Sequence, residues 1–485
     1  MHSPDTIHDF QPGAPPLAVI LAAGEGSRLS CQSNGTTKPA LSLLGLSLAE
    51  RTISSCIAAG IERFLVVLGY YADQVRAHYR EIAARWRCGI EFVTAQDWKL
   101  GNGVSVLAIA DKVGSAPFLL TMYDHLIAPS LIEKILRTRP RDGEICLAVD
   151  RHKAGIFDVE DVTKVELSDD HVVRIGKTLK EWCAADTGVF FCTRALFDAL
   201  KRVRARKKYS LSDGVSELAA AGQVNAVDVT GEDWIDVDTP ETFREACRCL
   251  LANLRKGGEE GYVSVRLNRP VSTRVSARLV STGITPNQIT VISFLISLLG
   301  AGLLSVGQYA VGLVGGLLVQ LASVIDGCDG EGFRLKHLSS ARGAWLDTIL
   351  DRYADLAVAL AVTYVFAAAH PGPLPWIAGF LVAFGFILAS YVTKEFAIRH
   401  GRPYANDVLN RLKRRDLRIL LICLGALVGR PFEALVFAGA LSHVCVIGVL
   451  IKGWVRIDDC GFRIADFCTH SAPGTADTAV VLTQP

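Results

Sequence analysis

Four carboxylates, Asp326, Asp329, Asp347 and Asp351, stand in otherwise strongly apolar sequence. The first pair is spaced i,i+3 and the second i,i+4, so each pair would share one face of a helix. Ionisable groups within apolar segments are costly and mark function by default. No Lys or Arg is interleaved in either pair, which points to neutralisation by cations rather than by salt bridges. An all-oxygen ligand set suits Mg²⁺ or Mn²⁺. A second group lies far upstream. The apolar run Leu17–Ala22 leads into Gly24-Glu25-Gly26-Ser27-Arg28-Leu29, and a strand followed by a glycine turn and a helix cradles phosphates through its backbone N–H groups. Asp124 follows a strand-like segment, Phe118–Thr121, and the C-terminal strand edge is where an open α/β sheet binds ligands.

The elements that must hold these groups differ between the two halves. Before about residue 260, strand-like segments (Phe64–Leu68, Ile90–Val93, Phe118–Thr121) alternate with helical periodicity, which predicts a doubly wound, mostly parallel α/β sheet. From Gln288 to Lys452 long apolar runs follow one another, several near the ~20 residues that cross a bilayer. Six spans are predicted, at about 288–306, 308–327, 343–369, 374–397, 416–430 and 432–451, forming an all-α polytopic membrane domain. Arg334, Lys336 and Arg342 crowd one loop; Lys394, Arg399, Arg402, Arg411, Lys413, Arg414, Arg415 and Arg418 crowd another. The positive-inside rule then puts both loops, both termini and the soluble half in the cytoplasm, in an inner-membrane protein. Residues 264–281 interleave arginine with apolar positions and read as an interfacial amphipathic helix. The expected plan is a disordered start (1–14), a nucleotide-handling domain (15–255), a linker and interfacial helix (256–283), a membrane domain (284–456) and a flexible tail (457–485). With 51 basic and 49 acidic residues, the chain has no global attraction to nucleic acid. Its 13 cysteines show no paired or CxxC spacing and read as reduced core residues; no signal peptide is expected at the N-terminus.

The membrane carboxylates carry a resemblance. Asp326, Asp329, Gly330, Arg334, Gly343, Asp347 and Asp351 match the signature of the CDP-alcohol phosphotransferase family, with every spacing kept and Phe333 standing where that family usually has Ala. The resemblance implies that Asp326, Asp329, Asp347 and Asp351 hold one or two divalent cations on the diphosphate of a CDP-alcohol. Asp351 would also serve as general base, and Gly330, Arg334 and Gly343 would contact the nucleotide. Thr285-Pro286-Asn287 matches the family's residues before its first span and would also contact the nucleotide, and Arg411 and Arg415 would meet the acceptor phosphate. The family also implies a homodimer through the membrane domain.

The soluble half resembles the sugar-phosphate nucleotidyltransferases through Leu-Ala-Ala-Gly-x-Gly-x-Arg-Leu and Lys38-Pro39. Carried over by position, Ala22, Ala23, Gly24, Gly26 and Arg28 would hold the nucleotide, and Lys38 would neutralise phosphate charge in the transition state. Gly103 and Ser105 would close on the base. Asp124 and Asp236, with Asp238 as the alternative to Asp236, would bind the metal, while Lys177 and Asp186 would meet the acceptor. A cytidylyltransferase joined to a CDP-alcohol phosphotransferase is similar to one bifunctional family, inositol-1-phosphate cytidylyltransferase fused to di-myo-inositol-phosphate phosphate synthase. The wording Asp-Gly-Cys-Asp-Gly-Glu, Leu-Asp-Arg-Tyr-Ala-Asp and Leu267-Asn268-Arg269-Pro270 agrees with it. That resemblance implies CTP, inositol 1-phosphate and a CDP-alcohol as substrates. Another alcohol (choline, ethanolamine or glycerol) in lipid synthesis remains the alternative, and a non-catalytic scaffold a distant one.

Overall fold

The computed structural model describes residues 16–255, 284–336 and 341–459 apart from positions 27, 30–35, 402–403 and 406, with scattered positions between 263 and 276; the side chains of 254–255, 286, 329–336, 341 and 453–459 are not described. The predicted interfacial helix at 264–281 and both chain ends fall largely outside these residues. The chain divides into two compact units, one containing residues 1–256 and the other most of the apolar half.

In the first unit, strands β1 (Leu17–Ala22), β4 (Arg63–Leu68), β5 (Gly89–Thr94), β6 (Phe118–Met122), β8 (Ile145–Asp150), β9 (Lys164–Ser168), β10 (His171–Gly176), β11 (Ala184–Cys192) and β12 (Val224–Asp228) build a nine-stranded sheet in the order β5-β4-β1-β6-β11-β8-β12-β10-β9. Short pairs β2 (Ser42–Leu43) with β3 (Leu46–Ser47), and β7 (His125–Ile127) with β13 (Trp234–Asp236), stand outside it. β1 pairs in parallel with both β4 and β6. Its alternate residues enter opposite cores: Ala18, Ile20 and Ala22 join one cluster and Val19 and Leu21 the other. That is the period-2 geometry of a strand buried on both faces. The expected parallel sheet is therefore found around β1, and it becomes mixed further on, where β11 pairs antiparallel with β6 and β8. The covering helices are amphipathic: α2 (Ala72–Trp86), which follows α1 (Leu48–Ala58), buries Val75, Tyr79 and Ile82 at i,i+4,i+7. The remaining soluble helices are α3 (Asn102–Leu107), α4 (Pro129–Arg137), α5 (Ala195–Ala205), α6 (Leu211–Ala220) and α7 (Pro240–Arg255).

The second unit is helical: α8 (Pro286–Leu304), α9 (Tyr309–Lys336), α10 (Ala341–Ala369), α11 (Pro373–His400), α12 (Val408–Leu412), α13 (Arg415–Leu427) and α14 (Pro431–Asp459). A helix lies at each of the six predicted spans, but five of them are long and apolar enough to cross a membrane. The exception is α13, with 13 residues. Its apolar run is interrupted at the start by Arg415, Asp416 and Arg418. Small residues let these helices meet closely. A Cβ on Gly300 would lie 2.8 Å from the Gly315 carbonyl, and one on Gly379 2.4 Å from Thr363.

Two candidate active sites

The soluble site forms where β1, β6 and the β7–β13 pair end. Lys38, on a 3₁₀ turn at Lys38–Ala40, is 5 % exposed. Its Nζ donates to Asp124 Oδ2 and Asp238 Oδ1, each at 2.5 Å. Arg28 pairs with Asp238 and donates from Nη1 to Asp161 Oδ2 at 2.9 Å. Asp161 in turn accepts from Lys177 Nζ at 2.6 Å. The register of the β7–β13 pair sets Asp236 opposite His125, and ligand atoms of Asp124, His125 and Asp236 lie within 4.8 Å of one another. His125 Nδ1 stands 3.3 Å from Asp124 Oδ1. Burial opposes charge on Lys38, yet Asp124 and Asp238 hold its ammonium above the usual range. Burial likewise opposes the Asp124 carboxylate, but Lys38 and His125 keep it well below the usual carboxylate range. Asp236 behaves otherwise: burial, reinforced by Asp124 and Asp238 and only partly offset by His125, raises it. Its Oδ1 is buried with no hydrogen-bond partner among the described residues. A buried unpaired carboxylate oxygen is expensive, and beside Asp124 it is suited to a hard cation.

A cavity of about 1220 Å³ opens beside this cluster, lined in part by Asp161, Lys177, Asp186, Trp234, Asp236 and Asp238. β11 changes register between Asp186 and Phe190, and this bulge includes Gly188 at φ +74. A Cβ there would lie 2.3 Å from the His125 ring, so only glycine fits the close approach. Asp186 Oδ1 accepts the Gly188 N–H at 2.7 Å, and burial pushes its carboxyl up to about 6.

Four helices bring the membrane carboxylates together. Asp326 comes from α9, Asp347 and Asp351 from α10, and ligand atoms of all three lie within 4.8 Å of one another. Ser293 of α8 donates to Asp326 Oδ1 at 3.0 Å. Arg415, at the start of α13, reaches Asp351 Oδ1 at 2.7 Å, Asp326 Oδ2 at 3.2 Å and Asp355 Oδ1 at 3.0 Å. Asp355, 4 % exposed, is also paired with Arg352 at 3.2 Å and Arg418 at 3.3 Å. Asp347 Oδ1 is buried without a hydrogen-bond partner among the described residues, again an oxygen suited to a cation.

Comparison with known proteins now bears on both sites. A family of MobA-like NTP transferase domains matches residues 18–223, and the CDP-alcohol phosphatidyltransferase family matches residues 283–450. A bifunctional IPC transferase and DIPP synthase from Rubrobacter xylanophilus is 35% identical over 433 residues, covering 88% of this chain and 94% of the relative. The chain belongs to the bifunctional IPC transferase and DIPP synthase family. A second member, from Thermococcus kodakarensis, is 35% identical over 84% of this chain and 90% of its own length. Over 185 residues the chain is also 31% identical to an archaetidylinositol phosphate synthase of Pyrococcus horikoshii, covering 38% of this chain and 92% of that protein. The chain is thus an enzyme of two transferase domains, with apolar helices suited to a membrane.

Within this family framework the predicted residues separate by place. Lys38, Arg28, Asp124, Asp236, Asp238, Lys177 and Asp186 converge on one cavity and its edge, as do Asp326, Asp347, Asp351 and Arg415 on the other cluster. Ala22 ends β1, and Ala23, Gly24 and Gly26 lie in the loop that follows. Gly26, at φ +62, gives way to Lys38, whose Cδ would lie 2.6 Å from a Cβ there. Gly103 and Ser105 are buried in α3, where the Gly103 N–H donates to the Tyr209 carbonyl at 3.0 Å. Thr285 is the N-cap of α8 in a capping box with Gln288, with Pro286 at the helix start and Asn287 exposed beside it. Gly343 lies in α10 and Arg411 in α12, while Asp329, Gly330 and Arg334 lie on α9. The sequence reading did not single out His125, Asp161 or Asp355. His125 adjoins Asp124 and could have been found from that adjacency; Asp355 continues the i,i+4 series from Asp351.

Proposed function

We propose that the two sites catalyse consecutive reactions. In the first, the phosphate of inositol 1-phosphate attacks the α-phosphorus of CTP, giving CDP-inositol and pyrophosphate. In the second, a hydroxyl of an inositol-phosphate acceptor attacks the phosphorus bearing the inositol of CDP-inositol, giving a di-inositol phosphodiester and CMP. The observation that carries this reading is the presence, in one chain alike to bifunctional relatives over most of its length, of two separate carboxylate clusters each with an unpaired buried oxygen.

At the soluble site Asp124 and Asp236 would hold Mg²⁺ or Mn²⁺, the orphaned Asp236 oxygen favouring it over Asp238, which already pairs with Arg28 and Lys38. Such an ion, when bound, withdraws charge from the phosphates. Arg28 and Lys38 would meet the triphosphate, and Lys38 would offset charge as pyrophosphate departs. Lys177 would take the acceptor phosphate, and Asp186, lining the cavity at the β11 bulge, would take a hydroxyl. In the membrane half, Asp326, Asp329, Asp347 and Asp351 would hold one or two ions. Asp351 would accept the acceptor proton as the O–P bond forms, because a carboxylate cannot remove it beforehand. Arg334 would meet the diphosphate and Arg411 the acceptor phosphate.

The domains would divide at 1–14, 15–255, 256–283, 284–456 and 457–485. The protein would sit in the inner membrane as a homodimer joined through its membrane domain, with the nucleotidyltransferase half in the cytoplasm. Membranes containing the full chain, given CTP, inositol 1-phosphate and Mg²⁺, should release pyrophosphate and then CMP, with both inositol products identified by mass spectrometry. Turnover of phosphocholine, phosphoethanolamine or glycerol phosphate instead would replace inositol in this reading.

A further inference from the structure

Arg415 is engaged in more than the capture of an acceptor phosphate requires. Its Nε donates to Asp355 Oδ1 at 3.0 Å, while its Nη1 stands 2.7 Å from Asp351 Oδ1 and 3.2 Å from Asp326 Oδ2. Its side chain is 14 % exposed. The second Asp355 oxygen is separately paired, with Arg352 and Arg418. So one end of the guanidinium is tied to a carboxylate already balanced by two other arginines. The other end lies on two of the three carboxylates whose oxygens converge. Three bare carboxylates among apolar helices would be severely destabilised; a shared guanidinium relieves this.

A guanidinium and a divalent ion at the same oxygens would lie within a few ångströms of each other and repel strongly. Arginine cannot escape this by losing its proton. It has to move. We propose that Arg415 is the resident counter-cation of the membrane carboxylates, and that an entering divalent ion displaces its Nη1 from Asp326 and Asp351 while Asp355 retains its Nε. Asp355 is then a positioning residue: it does not reach the ion, but it keeps the displaced guanidinium beside the site. This inference rests on the reading that Asp326, Asp347 and Asp351 hold a divalent ion.

The test is Mn²⁺ binding, followed by electron paramagnetic resonance of the free ion. The sample is the full chain in nanodiscs, carrying Asp124→Asn and Asp236→Asn to silence the soluble site. Arg415→Gln, which removes the competing charge, should tighten Mn²⁺ binding about tenfold, the size expected for releasing one charge-assisted hydrogen bond. Arg415→Lys, with one donor centre in place of a fork, should tighten it less. A second measurement uses the chain with its native arginines. Modification of Arg415 by phenylglyoxal, read by peptide mass spectrometry, should rise as Mn²⁺ is added and reach half its change at the Mn²⁺ Kd. Unchanged or weaker affinity in Arg415→Gln, or modification indifferent to bound Mn²⁺, overturns the displacement alone. Absence of any Mn²⁺ binding removable by Asp347→Asn overturns the displacement together with the metal reading.

Discussion

Asp124 and Asp351 make the sharpest demands at the scale of single residues. Asp124 is the soluble carboxylate that meets both Lys38 and His125. Asp124→Ala should lower kcat for CDP-inositol formation by about 10²–10³-fold, the range seen on removing one preorganised electrostatic group, with a smaller change in CTP affinity. Activity within a few-fold of the native enzyme would remove Asp124 from the metal site. Asp351→Asn keeps the size and one oxygen but cannot accept a proton. It should abolish phosphodiester formation while CDP-inositol still accumulates; CMP release at the normal rate would rule out the base role. The membrane carboxylates were legible because charge at helical spacing within apolar sequence has few structural explanations, whereas Asp124 and Asp236 were reached through a strand edge and a family resemblance. His125 lay within reach through its adjacency to Asp124, but its pairing with Asp236 depends on the β7–β13 register; Asp161 was not legible, because its role rests on the Arg28 and Lys177 contacts.

Elements place these groups, and their positions were only partly readable. The strands around β1 were visible as apolar runs, since burial on both faces leaves no polar alternation to confuse. The antiparallel β11 was harder to place, because its bulge between Asp186 and Phe190 breaks the two-residue period. The glycines at such breaks are testable. Gly26→Ala would force a Cβ to within 2.6 Å of the Lys38 side chain at φ +62. It should raise the CTP KM and lower kcat at least about tenfold, while costing ~1 kcal/mol in fold stability by thermal melt. Native-like kinetics would mean that Lys38 has another route past the loop. At the start of α8 the capping box explains Thr285 without any nucleotide. Thr285→Ala should cost ~1 kcal/mol of stability. A change confined to nucleotide KM with no loss of stability would instead give Thr285 a binding role.

For the whole molecule, orientation and bilayer fit are the open physical quantities. The basic loops predict that a cysteine at Gly372, in a cysteine-free background, is labelled from outside by an impermeant reagent, whereas one at His400 is protected; the reverse pattern inverts the topology. The 13 residues of α13 have a further consequence. At 1.5 Å per residue that helix is about 20 Å long, roughly 10 Å short of the ~30 Å hydrocarbon layer. Its first turn carries Arg415 and Arg418, and nothing on α13 itself can cover the missing depth with apolar surface. In a bilayer, the depth that α13 does not span would be filled by neighbouring helices, by water or by thinned lipid. Bilayer thickness would then set how far a phosphorylated polyol must sink to reach the carboxylates. Reconstitution in bilayers of increasing acyl length should leave CDP-inositol synthesis unchanged while phosphodiester formation slows.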